Sequence, residues 1–205
     1  MSTRVTGLTG ATLPTAPTVC HECIFWQSRG GRAMDKSRWI GKAEEEWGAW
    51  GTVYQSDGRL LGSMQYGPSA LFPRAAELPG GPPSEDAVLV TCAYLADESS
   101  QWVMQSLFLT AIGDARDKGA GALEAFSYRY PEGESAYERF HVHRTIFPAD
   151  FLADFGFVTV RSTGLVGLAR LELGGLEPVA EGKRERVLKV VKEAFSPVPP
   201  APQPP

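Results

Sequence analysis

The chain has 205 residues, 43% hydrophobic and 21% charged, a composition that allows one globular domain with a substantial core and excludes fibrous, disordered and membrane-embedded classes for the chain as a whole. Its 20 Lys and Arg against 24 Asp and Glu give a formal charge of -4, which argues against nucleic acid as main partner, because phosphate binding needs a concentrated positive surface. No apolar run approaches the roughly 20 residues of a membrane span, no export signal precedes Cys20, and three cysteines fit reduced thiols, so a cytoplasmic location is expected.

Residues 1–17 are small and polar and read as a disordered tail, with a single domain expected over 18–195. Cys20 to Trp26, aromatic at its end and broken by Gly30 and Gly31, reads as a first strand. From Asp35 to Trp50, Trp39, Ile40, Ala43, Trp47 and Trp50 recur at helical steps, while Lys36, Lys42 and Glu44 to Glu46 take the other face. Three tryptophans on one stripe read as core rather than as a binding cage. Gly51 to Gln55 and Arg59 to Tyr66 flank Asp57-Gly58, the strongest short hairpin signal. Five prolines then punctuate a loop between Gly67 and Asp86.

Ala87 to Leu95 is a nearly continuous apolar run, the pattern of a central strand buried on both faces. A helix from Trp102 to Lys118 ends at Gly119, and Leu123 to Tyr130 reads as the next strand, parallel to the first by a right-handed crossover. Glu132 to Arg144 carries no clear period. Phe151, Leu152 and Phe155 suggest a short helix stopped at Gly156, followed by a hairpin of Phe157 to Ser162 and Leu165 to Leu173. Glu181 to Phe195 reads as a final helix whose lysines and arginines form a solvated face, and 196–205 as a proline-rich disordered tail. The expected class is α/β (α+β): a mixed, mostly antiparallel central sheet flanked by helices.

Over about residues 19 to 174 this order resembles the GNAT superfamily of acyl-CoA-dependent N-acetyltransferases. The most specific piece is Phe151-Leu152-Ala153-Asp154-Phe155-Gly156-Phe157, similar to the short aromatic helix ending in Gly-Phe found late in that fold. The resemblance implies acetyl-CoA as acyl donor and a small-molecule or protein amine as acceptor, which attacks the thioester directly where the central strand and the following parallel strand splay apart. It assigns the cofactor to Cys92, Ala93 and Tyr94 at the end of one strand and to the turn Ser99-Ser100-Gln101-Trp102-Val103-Met104. A strand-to-helix turn leaves backbone N–H groups without intrahelical partners, and the helix dipole adds positive charge there, which suits a pyrophosphate. Tyr128 or Tyr130 is the candidate acid, and His141, His143 or Glu22 the candidate base, since a base near neutral pKa is most effective. The family's form of that turn, Arg/Gln-x-x-Gly-x-Gly/Ala, is not kept here, and Leu152 stands where many members carry a tyrosine acid. A catalytically degenerate binding or regulatory module on the same fold is therefore the alternative.

Cys20-x-x-Cys23 supplies only two of the four ligands of a structural zinc site, and His21 and Cys92 would have to complete it. Two free thiols beside Trp26 is the preferred reading, with metal as a minor alternative. No Gly-x-Ser-x-Gly elbow, P-loop or His-Glu-x-x-His occurs, so serine hydrolase, P-loop NTPase and zincin chemistry have no motif support.

Overall fold

The computed structural model describes residues 3–30, 34–96, 101–130 and 145–174. One compact unit spans Met1–Gly175; residues 176–205 form a second, so the helix expected at 181–195 and the proline tail lie outside the described residues. No described helix is long and apolar enough to cross a membrane.

An eight-stranded sheet organises the first unit: β1 Thr3–Gly7, β2 Gly51–Ser56, β3 Arg59–Pro68, β4 Ala87–Leu95, β5 Ala122–Tyr128, the two-residue β6 Phe147–Pro148, β7 Val158–Thr163 and β8 Val166–Glu172. Their order across the sheet is β1-β2-β3-β4-β5-β8-β7, with β6 beside β5. Among the described strands only β4–β5 and β5–β6 are parallel. The helices are α1 Thr18–Glu22, α2 Lys36–Glu46, α3 Gln101–Asp117 and α4 Ala149–Asp154. This is the mixed, mostly antiparallel sheet with flanking helices that the hydrophobic pattern led us to expect.

Local chemistry explains the elements. Asp35 caps α2, its carboxylate accepting from the Ser37 and Arg38 backbone N–H groups at 2.9 and 3.4 Å. Asp57 and Gly58 both take positive φ, 49° and 77°, the conformation that a two-residue hairpin turn requires. Gly156, at φ 85°, stops α4 where an L side chain would be strained. The sheet carries a core on each face. Tyr66, Val88, Val90, Leu107, Phe108 and Leu123 pack under α3 and α4; Trp26, Trp39, Trp50, Phe72, Leu89 and Phe126 pack on the side of α1 and α2.

Three expectations are corrected. The N-terminal stretch is not a disordered tail: Thr3–Gly7 adds β1 antiparallel to β2, Leu8 is 3% exposed and Ala16 is buried. The order is supplied by main-chain pairing, which polar residues can make as well as apolar ones. Cys20 to Trp26 is not a strand: Thr18–Glu22 is helical and Ile24 to Gln27 form a turn, with the Gln27 and Ser28 N–H groups donating to the Ile24 carbonyl. Its aromatic end is buried as an anchor, Trp26 stacking on Phe126 with centroids 5.9 Å apart. The α2 stripe also ends sooner than expected, at Glu46, so Trp50 enters the core from the approach to β2.

Candidate functional site

β4 and β5 run side by side for only four residues, from Ala87 opposite Ala122 to Val90 opposite Ala125. At that point β4 is interrupted. Against β3, Tyr66 faces Val90 and Gln65 faces Cys92, so Thr91 is an extra residue, a β-bulge. The bulge reverses the alternation of side chains: Val88 and Val90 join the core under α3, but beyond Thr91 it is Ala93 and Leu95 that do so. Cys92 to Leu95 continue the pairing with β3, opposite Gln65 to Gly62, past the point where the β4–β5 register ends. β5 continues, pairing β8 along one edge and receiving Phe147 and Pro148 of β6 on the other at Ser127 and Tyr128.

Buried polar groups hold the bulge. Thr91 is fully buried; its hydroxyl lies 3.1 Å from the Gln65 carbonyl and 3.0 Å from Gln65 Oε1 and donates between them. Gln27 Nε2 donates to the same Oε1 at 3.3 Å, so one amide ties the bulge to the segment after α1.

Cys92, Ala93 and Tyr94, three of the expected cofactor residues, come together in the wall of a pocket of about 160 Å³. The rest of the wall is mostly apolar: Leu8, Val19, Phe25, Trp26, Trp50 and Met64. Cys20, Cys23 and Lys36 also line it. Burial pushes the Cys92 thiol up to about 12, with smaller effects from Cys20 and Cys23 raising it and from Thr91 and Lys36 lowering it. Lys36 Nζ donates to the Cys23 carbonyl at 2.7 Å and lies 4.8 and 5.5 Å from the ring centres of Trp39 and Trp50. Burial lowers its pKa, partly offset by the neighbouring thiols. Among the described residues no carboxylate pairs with Lys36, and none lines the pocket.

The other sequence candidates fall elsewhere. Ser99, Ser100, His141 and His143 lie outside the described residues. Gln101 opens α3. Trp102 packs edge-on against Tyr54 at 5.4 Å, while Val103 and Met104 are buried in the core under α3, so their side chains are not available to a ligand. The rings of Tyr128, at the end of β5, and Tyr130, just beyond it, lie tilted against each other with centroids 4.8 Å apart and do not line the pocket. Glu22 is exposed at the end of α1, also outside the pocket wall. Leu152 is fully buried. Among the described residues no three His, Cys, Asp or Glu side chains stand close enough to hold a metal ion.

Lys36 is the residue that sequence reasoning missed, because it was assigned to the solvated face of α2. A signal was present: a cation in the first turn of a helix opposes the helix dipole, so its position calls for a local reason.

No protein-family model and no curated protein sequence matches the chain. Among solved structures, the chain is similar to an N-acetyltransferase of Staphylococcus aureus, at 13% identity and a TM-score of 0.49 over 84% of this chain and 99% of that one. It is similar to the PaiA N-acetyltransferase of Thermoplasma acidophilum in complex with coenzyme A, at 14% identity and a TM-score of 0.47, with coverage of 84% and 99%. It is similar also to the ribosomal-protein-S18-alanine N-acetyltransferase of Escherichia coli, at 8% identity and a TM-score of 0.48, covering 87% and 99%.

Proposed function

We propose that the chain is an acyl-CoA-dependent N-acetyltransferase that moves an acetyl group from acetyl-CoA to the amine of an acceptor. The observation that carries the reading is the bulge at Thr91: the β4–β5 register ends at Val90, while β4 runs on against β3 from Cys92 to Leu95 beside a pocket. Where two parallel strands part, their backbone N–H and C=O groups are fixed in direction, which is what an extended amide-bearing chain pairs with. In that slot acetyl-CoA supplies the activated acyl group. Backbone N–H groups of the bulged strand are suited to polarise the acyl carbonyl, because preorganised donors stabilise the charge that develops on oxygen. The acceptor amine, having lost its ammonium proton to a base, attacks the carbonyl carbon; the C–N bond forms, the C–S bond breaks, and the leaving thiolate takes up a proton. Tyr128 and Tyr130 at the end of β5 remain the proposed acids, and Glu22 and His143 the proposed bases. Gln101 at the start of α3, with Ser99 and Ser100 before it, is the proposed anion cradle for the pyrophosphate.

A second reading, a catalytically silent binding module on the same fold, is favoured by one observation: Phe147 and Pro148 pair with β5 on the edge that faces the splay, and Leu152 is sealed in the core. The two readings separate in one experiment. Acetyl-CoA is titrated into the full chain by calorimetry and thermal shift, and a library of primary amines is then screened for release of free CoA thiol. The enzyme reading expects binding and turnover. Binding without turnover on any amine supports the silent module, and no binding at all overturns the enzyme.

A further inference from the structure

The pocket beside the bulge has a size and a lining that restrict what it can hold. Its volume of about 160 Å³ matches that of a cavity that holds one benzene ring, roughly 150 Å³. Phe25, Trp26, Trp50 and Met64 give it apolar walls suited to an aromatic or branched aliphatic group. Into the same space comes one cation, Lys36, held by the Cys23 carbonyl and two indole faces, with no carboxylate paired to it among the described residues. A partly buried ammonium without a counter-ion is unfavourable on its own and becomes favourable when an anion arrives. The same geometry works against polycations: they would meet Lys36 and find no acid in the wall to compensate.

We infer that this pocket selects the acceptor, an amine that also carries an aryl-sized apolar side chain and an anionic group, with Lys36 as the residue that reads the anion. An aromatic or large aliphatic α-amino acid is the simplest molecule of that class: its side chain fills the apolar space, its carboxylate meets Lys36, and its amino group faces the strand edge of Cys92 to Tyr94. The inference rests on the acetyltransferase reading for the fate of the amine, but the recognition it describes is independent of turnover.

The test uses the full chain and three probes: L-phenylalanine, 2-phenylethylamine, which lacks the carboxylate, and spermidine. Binding is measured by calorimetry without acetyl-CoA, and acetylation by CoA release. L-Phenylalanine should bind about tenfold or more tighter than 2-phenylethylamine, as expected for one hydrogen bond to a charged group, and spermidine should not bind. Lys36→Met should weaken L-phenylalanine binding, and raise its KM, about tenfold or more with kcat little changed, while leaving 2-phenylethylamine unaffected. Lys36→Arg should restore most of the affinity, which guards against a variant that merely misfolds. Tighter binding of spermidine than of L-phenylalanine, or an equal effect of Lys36→Met on both phenyl ligands, overturns the inference. If acetyl-CoA binds and L-phenylalanine does not, this inference fails and the enzyme reading stands. If L-phenylalanine binds as predicted and acetyl-CoA does not, the enzyme reading fails and the pocket's selectivity stands.

Discussion

Where β4 and β5 begin, Glu124 of β5 is fully buried and accepts from the Ser84 N–H at 2.8 Å, the Ser84 hydroxyl at 2.7 Å and Arg170 at 3.2 Å. Arg170 also reaches Asp86 at 2.8 Å and Glu172 at 2.6 Å. Only a few residues further along, the same two strands have parted at Thr91, and the neighbouring space is apolar, with one cation and no acid. One end is closed by charge-assisted hydrogen bonds that bind a strand, a loop and a hairpin together; the other is left open and is held in shape by neutral amide and hydroxyl groups. The contrast teaches where each end can tolerate change. A fully satisfied ionic cluster is costly to break, whereas an open edge costs little until a ligand is missing from it.

The largest effect should come from the closed end. Arg170→Met leaves the Glu124 carboxylate buried with Ser84 alone, and removing one member of a buried pair typically costs about 3 kcal/mol or more. Urea unfolding should show that loss while acetyl-CoA affinity stays within about twofold. A variant of wild-type stability would mean that Glu124 does not depend on Arg170.

At the open end the expected stability change is smaller and the functional change larger. Thr91→Val removes the hydroxyl that bonds Gln65 and should cost about 1 kcal/mol, with weakened acetyl-CoA binding because the bulge no longer holds the β4 edge in place. Lost stability with unchanged affinity would show that the hydroxyl braces the strand and nothing more. Thiol reactivity gives a finer reading of the pocket. Burial pushes Cys92 up to about 12, so at pH 8 its thiolate is scarce and iodoacetamide should leave it intact, while exposed Cys23 reacts. Mass spectrometry of the alkylated peptides decides it, and rapid modification of Cys92 would mean that the pocket opens to solvent.

The smallest effect concerns acid. Hydrogen bonds from Arg170 hold Asp86 and Glu172 below their ordinary carboxylate values. A depressed folded-state pKa stabilises the fold above the unfolded value, roughly pH 4, and that contribution is lost as pH falls through the lower folded value. Both carboxylates are exposed, so the slope should be shallow. Arg170→Met should flatten the stability-versus-pH curve below about pH 4, and an unchanged curve would remove Arg170 as its source.

Much of this contrast could be read in advance, and the rest could not, for physical reasons. The Asp57-Gly58 hairpin, β4 and α3 are legible because turn chemistry, a continuous apolar run and a glycine stop each act locally. β1 is not: of its five residues only Val5 is apolar, and main-chain pairing at a sheet edge leaves no hydrophobic period. Cys20 to Trp26 misleads because β-branched and aromatic residues mark burial as readily as strand, and here Trp26 is buried from a turn. The bulge at Thr91 is invisible for a related reason. A strand buried on both faces has no alternation to interrupt, so an extra residue within it leaves no mark in the pattern. The site follows the same division. The end of the apolar run points to Cys92, Ala93 and Tyr94, which line the pocket, but Lys36 comes from α2, Phe25 and Trp26 from the turn after α1 and Trp50 from the approach to β2, and how these meet β4 is set by tertiary packing.

The most direct test of the central claim is calorimetric titration of acetyl-CoA into the full chain, paired with a variant in which Thr91 is deleted so that β4 can continue in register beside β5. The account predicts saturable binding at one site in the wild type and loss of that binding in a deletion variant that still melts cooperatively. Equal binding by both proteins, or none by the wild type, would contradict it.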